Sequence, residues 1–435
     1  MKNALCKILV LSLISTLIFS SIGVFVAASD SADIYITATI TGPPVLDSIG
    51  GKSVVENSPL IFTVNATAPN GDNLTFTHPH AGELPQGATF STTLSVPGHI
   101  EGEFSWTPTY FHEGEHQVTF EVADDKGASD EETITITVTD GDAIEVGGPS
   151  PDFAMIQEAI DNTESGNNIY VHSGTYSEDI DMKSGLNLIG KDARTTFIEG
   201  SVLFIEDDAA VENFTILYDE GEYVSLTNLH YTDWQILADA GITAIDSEIA
   251  IKNCIIRPDL DRINAEGGYD PPLERYGKGI QIWNMYQSID KSPTIQNNLI
   301  MNANIGISLF SQRFGGSVVG QLKNNTLVSN DCGILMRMHK ENPLIQDNII
   351  TDSFDSAICI TYEDGTLLDN RIANILGNDF FNNNYDVYCD ELQQELAPLP
   401  DGITEQQGNL YEDPLFDSDY ITQNPACAGK GYSLP

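Results

Sequence analysis

The 435-residue sequence predicts an all-β chain in which a β-sandwich precedes a solenoid of stacked coils. Two patterns carry that expectation. Residues 43–140 hold short alternating runs (LIFTVNAT, NLTFTHP, EFSWTPT, HQVTFEVAD, TITITVTD) parted by Pro, Gly, Asn and Asp turns, with no helical period. The last third repeats an asparagine-marked segment, placing Asn298, Asn325, Asn348 and Asn378 at spacings of 27, 23 and 30 residues. Periods of that size mark architectures in which each repeat is one coil and buries its apolar face against its neighbours.

Residues 1–28 read as a secretory signal. Lys2 and Lys7 open it, Ile8 to Val26 form the apolar run, and Val26-Ala27-Ala28 offers a small-residue cleavage site. An uncleaved anchor is the competing reading, because the run approaches spanning length, but Ser12, Ser15, Thr16, Ser20 and Ser21 interrupt it. Residues 29–42 form a short N-terminal segment. In 43–140, Trp106 and the alternating Val118, Phe120 and Val122 supply core-sized side chains. Gly141 to Pro151, rich in Gly and Pro, reads as a linker before the solenoid of 152–435.

From Asp152 the pattern changes. DFAMIQEAIDN sets Phe153, Ile156 and Ile160 on one face of a short helix with Asp152 as N-cap, and brief strands follow. The coils run through Asn213 and Asn253 into the four clear repeats. The 45 residues between Asn253 and Asn298 fit either a rung lacking its Asn or a rung with a long loop.

An asparagine repeated in every rung suits a stack. Its side chain both donates and accepts, so copies one coil apart can bond one another, and it tolerates the left-handed backbone of a sharp turn. The reading is structural rather than ligand-binding. The same register sorts the strands that follow Gly306, Gly333, Ala357 and Asp386. Ile280, Ile282, Ile307, Leu309, Ile334, Met336, Ile358 and Ile360 face the core. Gln281 and Trp283, Ser308 and Phe310, Leu335 and Arg337, Cys359 and Thr361, with Tyr388, face away.

Formal net charge is −45, or −47 without the signal, which disfavours nucleic acid and anionic lipid as partners. Five cysteines remain after the signal (Cys254, Cys332, Cys359, Cys389, Cys427), an odd, scattered set without zinc-site spacing. Cys332 aligns with Ile305 and Cys389 with Leu309, which reads as small core residues.

Two resemblances add to this. VLDSIGGKSVVENSPLIFTVNATAPNGDNLTF, with LPQGATF, EFSWTPT and VTFEVADDKGASDEETITITV, resembles immunoglobulin-like, cadherin-related modules of microbial surface proteins. That resemblance implies calcium carboxylates at Glu56, Asp72 and Asp124, with Asp140 or Asp142 at the exit. Ala68, however, stands where an aspartate is expected, which favours plain turn carboxylates. The helix followed by YVHSGTYSE, the asparagine-marked coils and the closing DPLF…Y…NPA tail resemble right-handed parallel β-helices of the pectin-lyase-like class.

Resemblance to that class implies that the outward row carries a substrate groove. Gln281, Trp283, Ser308, Phe310, Arg337, Thr361 and Tyr388 would form an aromatic platform with a cationic handle, suited to sugar rings. The competing reading is that long loops cover this face. The insertion 257–278, with Asp259, Asp261, Arg262, Glu266, Asp270, Glu274, Arg275 and Lys278, is a candidate site or a solvated loop. No paired acids stand on the face, and HExxH, Walker and serine-elbow motifs are missing. The sequence therefore points to a secreted or cell-surface protein that binds extracellular polysaccharide without catalysis. A polysaccharide lyase or glycoside hydrolase with a divergent site is the alternative, and a structural or adhesion component making cell-surface protein contacts is the second.

Overall fold

The structure is a computed structural model. It describes residues 24–28, 34–38, 42–205, 208–219, 223–225, 235–237, 240–267, 276–285, 290–311, 317–337, 343–361, 374–389, 394–395 and 408–433. The first 23 residues, most of the expected signal, lie outside these. Val24–Ala28 pairs antiparallel with Ile34–Ala38. The chain divides into two units, Met1–Asp142 and Ala143–Pro435.

The first unit is a sandwich of two four-stranded sheets. Strands 45–46, 60–67, 99–106 and 89–96 form one sheet. Strands 52–55, 129–139, 114–124 and 74–78 form the other, in which 52–55 runs parallel to 136–139. The alternation seen in the sequence becomes the inner face: Val64, Phe104, Trp106, Val118, Phe120, Val122, Ile134 and Ile136 are buried together. Trp106 satisfies its indole N–H on the Gln86 carbonyl at 3.0 Å, as a buried indole requires.

In the second unit, three sheets of nine, eight and nine strands are wound from successive short strands, all parallel except Gln394–Glu395, which pairs antiparallel with Tyr385–Cys389. This is the expected parallel β-helix. Face A starts at 144–146, face B at 174–176 and face C at 180–181, and each strand pairs with its counterpart one coil on. The stretch 141–151 is thus not all linker. Ile144–Val146 pairs with Asn168–Val171 as the first rung, a run too short between glycines to read as a strand.

Apolar columns fill the bore. Ile169, Leu188, Val211, Ile251, Ile295 and Leu322 stack on face A; Ile216, Ile256, Ile300, Leu327 and Ile350 stack on face B. On face C the inward residues are those expected, all within the core. Cys332 does pair with Ile305, yet both stand outside that core column.

Helix Ile156–Asn162 covers the open end and buries Ile156 and Ile160. Its cap differs from expectation. Asp152 bonds the Glu145 amide, while the Glu178 carboxylate takes the free N–H groups of Ile156 and Gln157 at 2.8 and 3.0 Å.

Strand 248–252 pairs directly with 294–296, so the long interval is one coil with inserted loops rather than a missing rung. The asparagines occupy two rows. Asn213, Asn253, Asn297, Asn324, Asp347, Gly377 and Gly408 adopt positive φ at the turn between faces A and B. The ladder is one residue on, so Asn253 and Asn213 belong to the turn row, and Cys254 takes the ladder position below Asn298. Each ladder amide bonds the next, Asn298 to Asn325 at 3.0 Å, Asn325 to Asn348 at 3.0 Å and Asn348 to Asn378 at 2.9 Å, and Asn409 ends the stack. A second, partial row at the turn between faces B and C, Asn330 and Asn383, bonds Ala303 and Ser353.

The tail runs back over the outer side of face B. Gly431 N bonds Asp347 O at 2.9 Å, Tyr432 N bonds Thr326 Oγ1 at 2.8 Å, and Ser433 N bonds Asn297 Oδ1 at 2.7 Å. Tyr432 packs on Leu299, Met301 and Val328.

Candidate functional site

Strands 278–284, 305–311, 332–337, 356–361 and 385–389 place the candidate side chains. Pairing confirms the expected register: Gln281 opposite Ser308, Leu335, Cys359 and Tyr388 in turn, and Trp283 opposite Phe310, Arg337 and Thr361. The reason lies in the small residue that starts each strand. A Cβ on Gly279 would meet Gly306 O at 2.6 Å, one on Gly306 would meet Gly333 O at 2.6 Å, and one on Gly333 would meet Ala357 O at 2.5 Å. These glycines let successive coils approach, and ladder pairing skips them, from Lys278–Ile305 to Ile280–Ile307.

The face is not the open surface expected. Gln281 is fully buried, and Ser308, Cys359 and Thr243 are nearly so, although all four project away from the core column. Trp283, Phe310, Leu335 and Tyr388 are half-buried. Trp283 and Phe310 lie 5.2 Å apart at 43°, and Tyr385 and Tyr388 5.4 Å apart. Arg337 and Thr361 are in strand, but their side chains lie outside the described residues, as do the segments following most of these strands. The covered-face reading therefore describes the Gln281 row.

Sequence reasoning missed Thr243, one coil below Gln281 in the same row. Among the described residues, neither the Gln281 amide oxygen nor its nitrogen has a hydrogen-bond partner, and neither does the Thr243 hydroxyl. Burying polar groups this way costs about 1–3 kcal/mol each. The end of the Trp283 strand is held firmly. Asp246 N donates to Trp283 O at 2.8 Å, its carboxylate accepts Met285 N at 2.6 Å, and Asn284 Nδ2 donates to Ser317 O at 3.0 Å. Neutral donors and acceptors beside an aromatic pair can bind hydroxylated rings. No carboxyl pair stands among the described residues of this row.

Of the 257–278 insertion, Leu260–Gly267 forms a helix with Ile263 buried and Arg262 paired to Asp219 at 2.9 Å. Asp270, Glu274 and Arg275 lie outside the described residues. A cleft of about 600 Å³ between the tail and the turn row, lined by Asn253, Asn297, Asn324 and Lys430, is a packing seam. Asn297 and Asn324 both bond the tail backbone there.

Of the expected calcium carboxylates, Glu56 and Asp140 bring carboxylate oxygens within 4.8 Å of one another, while Asp72 and Asp124 are engaged elsewhere. Asp72 is salt-bridged to Lys126, Asp124 accepts the turn amides of Lys126 and Ala128 at 3.0 and 2.8 Å, and buried Glu56 accepts Gly141 N at 3.2 Å. In this structure the first two serve a surface ion pair and a turn.

A model for a putative Ig domain matches residues 43–139. No curated protein matches the chain by sequence. Among solved structures, the chain is similar to the pectin methylesterase of Erwinia chrysanthemi at 12% identity over 68% of this chain and 99% of that one, TM-score 0.26. It is similar to a family 28 exopolygalacturonase of Yersinia enterocolitica at 12% identity over 80% and 86%, TM-score 0.26. The BIgI domain of the beta protein from S. agalactiae is similar at 22% identity over 23% of this chain and 99% of that domain, TM-score 0.20. The β-helix assignment rests on the strand pairing described above.

Proposed function

We propose that this is a secreted or cell-surface protein whose β-helix binds extracellular polysaccharide on face C without cleaving it. The observation that carries the reading is the half-buried Trp283–Phe310 pair, 5.2 Å apart on adjacent coils, beside a Gln281 amide that has no partner among the described residues. A sugar hydroxyl both donates and accepts, so it meets both ends of an amide, while its ring apposes an aromatic face. Supporting features are the Ig-like module at 43–139 and a net charge that keeps nucleic acid and anionic lipid away. Calcium is not needed for this reading.

The test is affinity electrophoresis of the full chain against a panel of neutral and acidic polysaccharides, with assays for new reducing ends and unsaturated products. Retardation by at least one glycan is expected, without product, and Trp283→Ala weakens it tenfold or more. Gln281→Leu should lose binding and yet raise the stability of the unliganded protein, because it removes the buried orphan amide. A panel with no retarding glycan, or a Gln281→Leu protein that binds normally, overturns the proposal. Product release would replace it with the lyase or hydrolase alternative.

A further inference from the structure

Within the first unit, strand 74–78 ends in an irregular register at Phe76/His78, and the short 3₁₀ turn Ala81–Glu83 follows. A bulge of this kind re-aims the side chain at its end. Here it brings His78 and Glu83, five residues apart, to a 2.7 Å contact between Nδ1 and Oε2. The His80 imidazole stands over His78 with ring centroids 4.5 Å apart, and its donor atom joins the other two within 4.8 Å of one another. On the far side of His78, Nε2 faces the Glu121 carboxylate at 3.6 Å. Glu121 is itself fixed by Thr77 Oγ1 at 2.7 Å.

We infer that His78, His80 and Glu83 form a binding site for a borderline transition-metal dication such as zinc. Two imidazoles and one carboxylate are the donors such ions prefer, whereas calcium takes oxygen alone. Ligand atoms on a tetrahedral ion with bonds of about 2.1 Å lie about 3.4 Å apart, so side-chain rotations of about an ångström close the set. The ion replaces the proton shared between His78 and Glu83. Glu121 then faces the non-ligating nitrogen of His78, the position from which a carboxylate orients a metal-bound imidazole. The other described histidines are engaged elsewhere: His99 with Glu101, His112 with Thr109, His116 with the His112 carbonyl, and His172 with Glu145. The His80 side chain is exposed, so an ion reaches it from solvent.

The experiment is isothermal titration of the untagged full chain with zinc chloride in buffer holding millimolar calcium, which occupies the many exposed carboxylates. One site is expected, and His80→Ala and Glu83→Gln should each weaken it tenfold or more, while His99→Ala leaves it unchanged. Zinc should raise the melting temperature of the wild type and not that of His80→Ala, whose metal-free melting matches wild type. His80→Asn repeats the test without deleting the side chain. Cobalt substitution should give the visible absorption bands of imidazole-ligated metal in the wild type only. Equal zinc affinity in wild type, His80→Ala and His80→Asn, or displacement of zinc by calcium, overturns the assignment.

Discussion

Asn348 sits at the middle of the ladder and is fully buried. Its oxygen accepts the Asn325 amide N–H at 2.9 Å and Asn325 Nδ2 at 3.0 Å, and its Nδ2 donates to Asn378 Oδ1 and Leu322 O, both at 2.9 Å. Asn348→Ala removes four bonds together. The Asn325 backbone N–H loses its acceptor in a dry environment, costing about 1–3 kcal/mol, and each remaining bond is worth about 1 kcal/mol net. The expected loss is therefore about 4–6 kcal/mol. Urea unfolding of the full chain followed by strand circular dichroism reads it.

Asn348→Asp sharpens the test because it keeps the shape and changes only the donor. Its second oxygen would point at Asn378 Oδ1 and Leu322 O, both acceptors, so the folded protein favours the protonated acid. The unfolded carboxyl releases its proton above about pH 4. The native state then binds more protons than the unfolded one, and stability falls as pH rises. The deficit of Asn348→Asp against wild type should widen from pH 4 to pH 7, while that of Asn348→Ala stays flat. A cost below about 1 kcal/mol for Asn348→Ala, or a pH-independent Asn348→Asp deficit, refutes the ladder as a source of stability.

Two further outcomes follow from the same coordinates. Gly306→Ala should lower the urea midpoint by an amount equivalent to about 1–3 kcal/mol, since its Cβ would meet Gly333 O at 2.6 Å and Leu327 Cδ2 at 2.9 Å; an unchanged midpoint would mean the coils can separate there freely. Burial pushes the thiols of Cys254 and Cys427 up to about 12, so native protein treated with iodoacetamide at pH 8 should leave both peptides unmodified until urea unfolds it. Labelling at the rate of an unfolded peptide would contradict their placement.

The ladder also shows what a sequence can and cannot disclose. The repeat period and the inward columns were legible because alternation and small turn residues are local properties. The ladder's true position was off by one at Asn213 and Asn253, because Asn297-Asn298 and Asn324-Asn325 offer two adjacent candidates. The discriminating signal was present further on, in Asp347-Asn348 and Gly377-Asn378. The first member varies among residues that tolerate positive φ, and only the second keeps both a donor and an acceptor. The Glu178 cap was not legible, since it reaches Ile156 from 22 residues away.

The candidate site turns on a different ambiguity. Alternation says which side of a strand a residue takes, and it says nothing of what lies over that side. A glutamine and a serine at outward positions read as solvent-facing polarity, for which a partner is always at hand. Buried without a partner among the described residues, the same Gln281 becomes a cost, and the adjacent Thr243 adds to it. Structural asparagines in this protein show the contrary state, with every ladder amide bonded at both ends. A fold that satisfies five stacked amides on one turn gives Gln281, on face C, no partner among its described residues. If Gln281→Leu stabilises the unliganded protein, the amide is a cost the fold itself carries; if it destabilises it, the chain satisfies Gln281 and the contrast with the ladder disappears.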